Sequence, residues 1–174
     1  TMVQFSDLHI TSSPNVSIDT SISSIVSDLG RHKNEVCPIP KPDLVVLCGD
    51  IIQGPDNFVD FKSALAEIEH QYNTANKFLN RLCAELFNGD KNRIIIVPGN
   101  HDVSWPHSYM SMKKIEHLDE ELTKACKNPR SNIRWCWKDH SYYKIDDIDI
   151  YDKRFESFHK FYRKFYDNDY AYAN

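Results

Sequence analysis

No stretch of this 174-residue chain stays apolar for the ~20 residues that a membrane-crossing helix needs, so no membrane partner is expected. The start carries no basic-then-apolar leader, and the chain shows no internal repeat and no low-complexity stretch. Positive charge is not in excess: 21 Lys and Arg stand against 25 Asp and Glu, a net charge of -4. A surface that tracks a phosphate backbone without regard to sequence leaves a basic footprint, and its absence argues against that mode of binding. Cys-x-x-Cys pairs are missing too. Five cysteines, at 37, 48, 83, 126 and 136, form an odd set without finger-like spacing. Reduced thiols and a cytoplasmic location are the expectation, with Cys48 and Cys83 acting as small hydrophobes in a strand and a helix. Glycine is scarce as well, five in all and none after Gly99.

What is present is an ordinary globular composition, 41% hydrophobic and 26% charged, on a chain long enough to bury one core. Met2 to Ser6 reads as a short strand running into Asp7. Ile18, Ile22, Ile25, Val26 and Leu29 share one helical face, with start signals at Asp19 to Ser21 and Gly30 placed to end it. Pro38, Pro40 and Pro42 make a stiff connector. Leu44 to Cys48 and Arg93 to Val97 are apolar runs of the kind found in strands buried on both faces. A helix from about Phe58 to Phe87 separates them, with Phe61, Leu65, Ile68, Tyr72, Phe78, Leu79, Leu82 and Leu86 inward. This alternation predicts an α/β fold with neighbouring, mostly parallel strands.

Beyond Val103 the pattern loosens. It predicts a helix over Met110 to Cys126, broken by Pro129, then short strands over Ile133 to Trp137 and Tyr142 to Ile150. A last helix covers Tyr151 to Tyr166, with Tyr151, Phe155, Phe158, Tyr162 and Phe165 on one face. Lys153, Arg154, Lys160, Arg163 and Lys164 share it. The simpler reading is an amphipathic helix packing its aromatics on a core or a partner; the sharper one is an aromatic-basic nucleic-acid surface.

Three predicted strands end in small polar clusters: Ser6-Asp7-Leu8-His9, Gly49-Asp50, and Pro98-Gly99-Asn100-His101-Asp102. In an open α/β sheet, ligands collect beyond the carboxyl ends of the strands, so neighbouring strands would bring these clusters to one edge. Carboxylate, imidazole and amide donors without thiolates suit manganese, iron, zinc or similar divalent ions. On an extended segment Asp7 and His9 point to the same side and grip one ion. Asp50 is placed to bridge two ions, and Asn100 offers a carbonyl oxygen to the second. His101 reaches the substrate as a general acid, with Asp102 orienting it and holding its proton. Two ions ~3.5–4 Å apart would clamp a phosphoryl group and generate a hydroxide for in-line attack. Gly49 and Gly99 sit directly before candidate ligands, where only a missing side chain lets backbone approach closely.

Phe5-Ser-Asp-Leu-His9, Leu47-Cys-Gly-Asp50 and Val97-Pro-Gly-Asn-His-Asp102 resemble the first three motifs of the calcineurin-like metallophosphoesterases. The resemblance covers about residues 2–102, and Gly-Asn-His-Asp is its most specific part. It implies a two-sheet sandwich flanked by helices, with a dinuclear metal site at the strand ends. It assigns Asp7 and His9 to the first metal, Asp50 to the bridge and Asn100 to the second metal. His101 then assists the leaving group or the transition-state charge, with Asp102 as its partner. The opening resembles cyclic-nucleotide phosphodiesterases and repair-type nucleases more than phosphoprotein phosphatases, which carry Gly-Asn-His-Glu. A phosphoester substrate is implied, nucleotide or nucleic acid, and the acidic charge favours a small one.

Members of that family add a later histidine and a Gly-His-x-His motif, and neither has a counterpart here. His107, His117, His140 and His159 lack ligand-like spacing. The expectation is therefore that residues 1–102 are the N-terminal half of the domain and 103–174 a mostly helical insertion or cap that chooses the substrate. Residues beyond this chain would complete the site, and further domains of a larger protein are candidate partners. The alternative is a non-catalytic ligand- or partner-binding module with a degenerate half metal site.

Overall fold

The structure is a computed structural model and describes residues 1–31, 36, 40–55 and 60–167. In chain order the elements are β1 (Met2–Phe5), α1 (Ile18–Arg31), β2 (Leu44–Cys48), α2 (Phe61–Phe87), β3 (Ile94–Val97), α3 (Trp105–Ser111), β4 (Met112–Lys114), α4 (Glu120–Cys126), β5 (Ile133–Cys136), β6 (Ser141–Ile145), α5 (Ile148–Asp152) and α6 (Glu156–Tyr166). The fold is α/β, with one parallel and one antiparallel sheet. The chain forms two compact units: Thr1–Val103 with Phe155–Asn174, and Ser104–Arg154. Pro38 of the predicted connector, Phe58 at the predicted helix start and Cys37 lie outside the described residues.

In the first unit the strands run parallel in the order β1-β2-β3, so Asp50 does follow the middle strand. Ser17 caps α1, its hydroxyl oxygen accepting the Thr20 amide at 3.1 Å. That is earlier than the start signals read at Asp19 to Ser21, because a cap must lie outside the first turn. Gly30 does not stop the helix, which continues through it to Arg31. Asp60 caps α2 by accepting the Ser63 amide at 2.9 Å, and left-handed Asn88 followed by Gly89 ends it.

Both crossovers advance in the same direction across the sheet, and right-handed connections then lay both helices on one face. Val45, Leu47, Ile94 and Ile96 are buried on that face with Ile22, Ile68, Leu79 and Leu82. Each contributes about 1.5–3 kcal/mol. The other face is open: Met2, Ile95 and Val97 are 59%, 44% and 48% exposed. The expectation of strands buried on both faces is thus corrected, since β3 alternates residue by residue. Cys48, paired in register with Val97, stands on that open face and is exposed rather than buried; Cys83 is buried as expected.

Helix α6 belongs to this unit and sets Phe158, Phe161 and Phe165 into the core, with Tyr72 stacked on Phe161 at 4.9 Å. Its aromatics therefore serve packing. The predicted continuous helix from Tyr151 is interrupted: α5 ends at Asp152 and a single tight turn, Lys153–Phe155, precedes α6.

The second unit holds the antiparallel sheet β4-β6-β5. The helix expected over Met110 to Cys126 is replaced by the end of α3, strand β4 and α4. Met112, Lys113 and Lys114 pair with Ile145, Lys144 and Tyr143, and α4 begins only where Asp119 accepts the Leu122 amide at 2.7 Å. Likewise β6 stops at Ile145, because Asp147 accepts the Ile150 amide at 3.0 Å and starts α5. Arg134 ties β5 to the same region, donating to the Tyr151 hydroxyl at 3.1 Å. Among the described residues no helix is long and apolar enough to cross a membrane.

Candidate metal centre

The ladder between β1 and β2 continues past the strands. His9 donates its amide to the Asp50 carbonyl at 3.0 Å, and Ile10 to the Ile51 carbonyl at 2.9 Å. This carries the Asp7–His9 segment alongside the Gly49–Asp50 turn. Gly49 and Gly99 face each other where β2 and β3 end: a Cβ on Gly49 would lie 2.8 Å from the Gly99 Cα. Only two glycines allow that approach, which answers why the scarce glycines fall there.

Three of the predicted ligands adopt a backbone that L-residues avoid. Asp7, His9 and Asp50 have φ of 56°, 44° and 51°. Asp and His tolerate the left-handed region better than most residues, yet each such position costs of order 1–3 kcal/mol and persists only where surroundings hold it. The extended Asp7–His9 segment expected from the two-residue spacing is therefore corrected. The two side chains still meet, with His9 Nε2 at 3.7 Å from Asp7 Oδ1, but through two left-handed residues rather than a pleat.

His9, Asp50 and His101 each present one ligand atom, all within 4.8 Å of one another. The His9 and His101 rings meet edge to face at 4.6 Å. Asp50 Oδ1 accepts the His101 amide at 3.0 Å, locking the third cluster onto the second. Asp7 stands beside this group, its other carboxylate oxygen accepting the Ser6 hydroxyl. Asn100 is exposed at the turn between Gly99 and His101.

A divalent ion fits these residues. His9 Nδ1 is buried without a hydrogen-bond partner, a cost of about 1–3 kcal/mol that a ligand would relieve. The His9 imidazole with the Asp50 and Asp7 carboxylates makes a donor set of the borderline type favoured by manganese, iron and zinc, and the His101 ring stands within reach of it.

Asp102 makes different contacts from those expected. Its carboxylate, 2% exposed, accepts the amides of Gly99 at 2.8 Å, Ile51 at 3.2 Å and Ile52 at 3.3 Å. Tyr72 donates its hydroxyl to the Asp102 carbonyl at 3.1 Å. Burial holds the Asp102 carboxyl above its ordinary range, and the three amides oppose that rise only in part. The residue staples the β2 and β3 turns together. The His101 ring is partnered instead by the Gln53 carbonyl, 2.6 Å from Nδ1. Sequence reasoning missed Gln53 because the acceptor is backbone, which no side-chain pattern announces. It missed Tyr72 because a tyrosine on an apolar helix face reads as core.

Of the later histidines, His107 is buried with Nδ1 2.8 Å from the Ser104 hydroxyl, in the second unit. His140 lies in the turn between β5 and β6 with φ 50°. Neither joins the His9, Asp50 and His101 group.

No curated protein and no solved structure matches the chain. The match to a family is extensive, reaching well past the three motifs and over residues 1–171. On that match, and with the clustered donors at the strand ends, the chain belongs to the calcineurin-like phosphoesterase family.

Proposed function

We propose that the protein hydrolyses phosphoesters with two divalent ions, manganese foremost, and that its substrate is of nucleotide type. The observation that carries this reading is the convergence of His9, Asp50 and His101 beyond the ends of the parallel strands, within 4.8 Å of one another. Asp7 and His9 would hold the first ion, Asp50 would bridge, and Asn100 would serve the second. Bound there, such ions supply Lewis acidity to a phosphoryl group and acidify water.

The protein's own contribution is orientation and proton handling. A carbonyl only accepts, so the His101–Gln53 contact places the ring proton on Nδ1. Proton exchange with a leaving oxygen then runs through Nε2. Asp50 holds the His101 backbone at its amide, and the staple made by Asp102 keeps both turns in place. A net charge of -4 favours a small phosphodiester or monoester over long nucleic acid. The four described cysteines carry free thiols, which supports a cytoplasmic setting.

The test is hydrolysis of bis-p-nitrophenyl phosphate with added manganese, comparing wild type with Asp50→Asn and His101→Ala. Metal-dependent turnover that drops at least ~100-fold in both variants supports the reading. A folded protein that binds manganese without turnover favours the non-catalytic module. Turnover unchanged in both variants overturns the residue assignment alone.

A further inference from the structure

We infer that Gln71, on the buried face of α2, is a positioning residue for the His101 imidazole. The inference rests on the reading of His101 as the proton-handling group. One peptide unit links the two residues. Its carbonyl belongs to Gln53 and lies 2.6 Å from His101 Nδ1; its N–H belongs to Gly54 and donates to Gln71 Oε1 at 2.8 Å. A peptide is planar, so holding the N–H end fixes the direction of the carbonyl at the other end. The bonds also polarise one another: a Gly54 N–H held by an acceptor makes the Gln53 oxygen a better acceptor for the ring.

Gln71 is itself immobilised. It is 3% exposed, and its Nε2 donates to the Gly54 carbonyl at 3.1 Å and to Glu67 Oε1 at 2.8 Å. Those two acceptors fix which end of the amide is oxygen, so the Gly54 N–H always meets Oε1. Gly54 has φ 76°, a conformation that frees the segment to bring both ends of the peptide to their partners. The outcome is an imidazole held as its Nδ1–H tautomer, with the Nε2 lone pair turned to chemistry. Without Gln71 the peptide loses its anchor, and the ring loses both its tautomer and its orientation.

The experiment reads the tautomer directly, from imidazole nitrogen shifts of the 15N-labelled, metal-free protein at neutral pH. Wild type is expected to show His101 with the proton on Nδ1. Gln71→Met, which keeps the bulk and removes all three hydrogen bonds, shifts it to a mixture of tautomers. Gly54→Ala strains the same peptide with Gln71 intact and produces the same change, which covers failure of the first variant to fold. Leu79→Ala, a buried change on the same helix outside the relay, leaves the tautomer unmoved. In manganese-loaded protein, Gln71→Met lowers kcat roughly 10- to 100-fold with KM little changed. A folded Gln71→Met or Gly54→Ala protein that keeps the Nδ1–H tautomer overturns the proposal, as does a wild type lacking it. Because the spectrum needs neither metal nor turnover, an inactive wild type with an intact tautomer response would sink the hydrolase reading and leave this one standing.

Discussion

Gly99 lies so close to Asp50 that a Cβ on the glycine would sit 2.2 Å from the aspartate's Oδ1 and 2.4 Å from its backbone nitrogen. The third cluster is therefore docked directly onto the residue proposed to bridge two ions. Gly99→Ala must push the Asp50 carboxylate aside or part the two turns. The expected result is a loss of about 1–3 kcal/mol in urea unfolding, with weakened manganese binding by calorimetry. Gly30→Ala is the contrast: nothing lies within 4 Å of its added carbon, and the residue is helical. It should raise stability by ~0.5–1 kcal/mol and leave manganese binding unchanged. Equal effects from the two glycines would refute the docking.

Asp102→Asn separates two roles for a residue next to the site. In the structure its carboxylate satisfies three backbone amides and does not orient the imidazole. An asparagine has one acceptor oxygen and would turn an N–H₂ donor towards an amide that also donates. The cost expected is roughly 2–3 kcal/mol in metal-free protein, read as a lower urea midpoint. Unchanged stability with a fallen kcat would return Asp102 to the orienting role read from its place in the motif.

The legible part of the site was its address. Apolar runs ending in Asp7, Asp50 and His101 could be placed at one sheet edge because parallel connectivity leaves few alternatives. The means of assembly were not legible. Left-handed φ at Asp7, His9 and Asp50 depends on contacts from other strands, and nothing in a local window reports it. The Gln53 carbonyl is invisible to any pattern of side chains. One-sided burial of the sheet was hidden for another reason: Val46, Ile95 and Val97 are apolar on the open face, so no alternation marks it. Past residue 103, caps decided the boundaries. Asp119 and Asp147 start helices at points that apolar periodicity overran.

His159 gives the fold a pH dependence of definite sign. It stacks on Phe155 at 6.3 Å and meets Phe158, and burial, then the Arg163 charge, lowers its pKa below the ordinary 6.5. The unfolded chain takes up this proton more readily than the folded one. Stability from the neutral ring is therefore present above 6.5 and lost as pH falls from there through the folded value. Urea midpoints of wild type and His159→Phe should converge at pH 8 and differ at pH 5.5, the wild type falling more. Parallel curves across that range would exclude His159 as a source.

The two faces of the parallel sheet set up the sharpest comparison. Ile95 and Ile96 are neighbours in β3, one 44% exposed and the other 4%. Ile96 packs among the helices, so Ile96→Ala removes buried methyl groups and leaves a cavity, at about 2–5 kcal/mol. Ile95 faces outward, and Ile95→Thr keeps the branching that suits a strand; a change within ~0.5 kcal/mol is expected by urea unfolding. The residues share one strand, and a gap between the two costs larger than the ~1 kcal/mol span of β-propensity reports burial. A cost for Ile95→Thr near that of Ile96→Ala would mean that this face is covered in solution, against the exposure seen here.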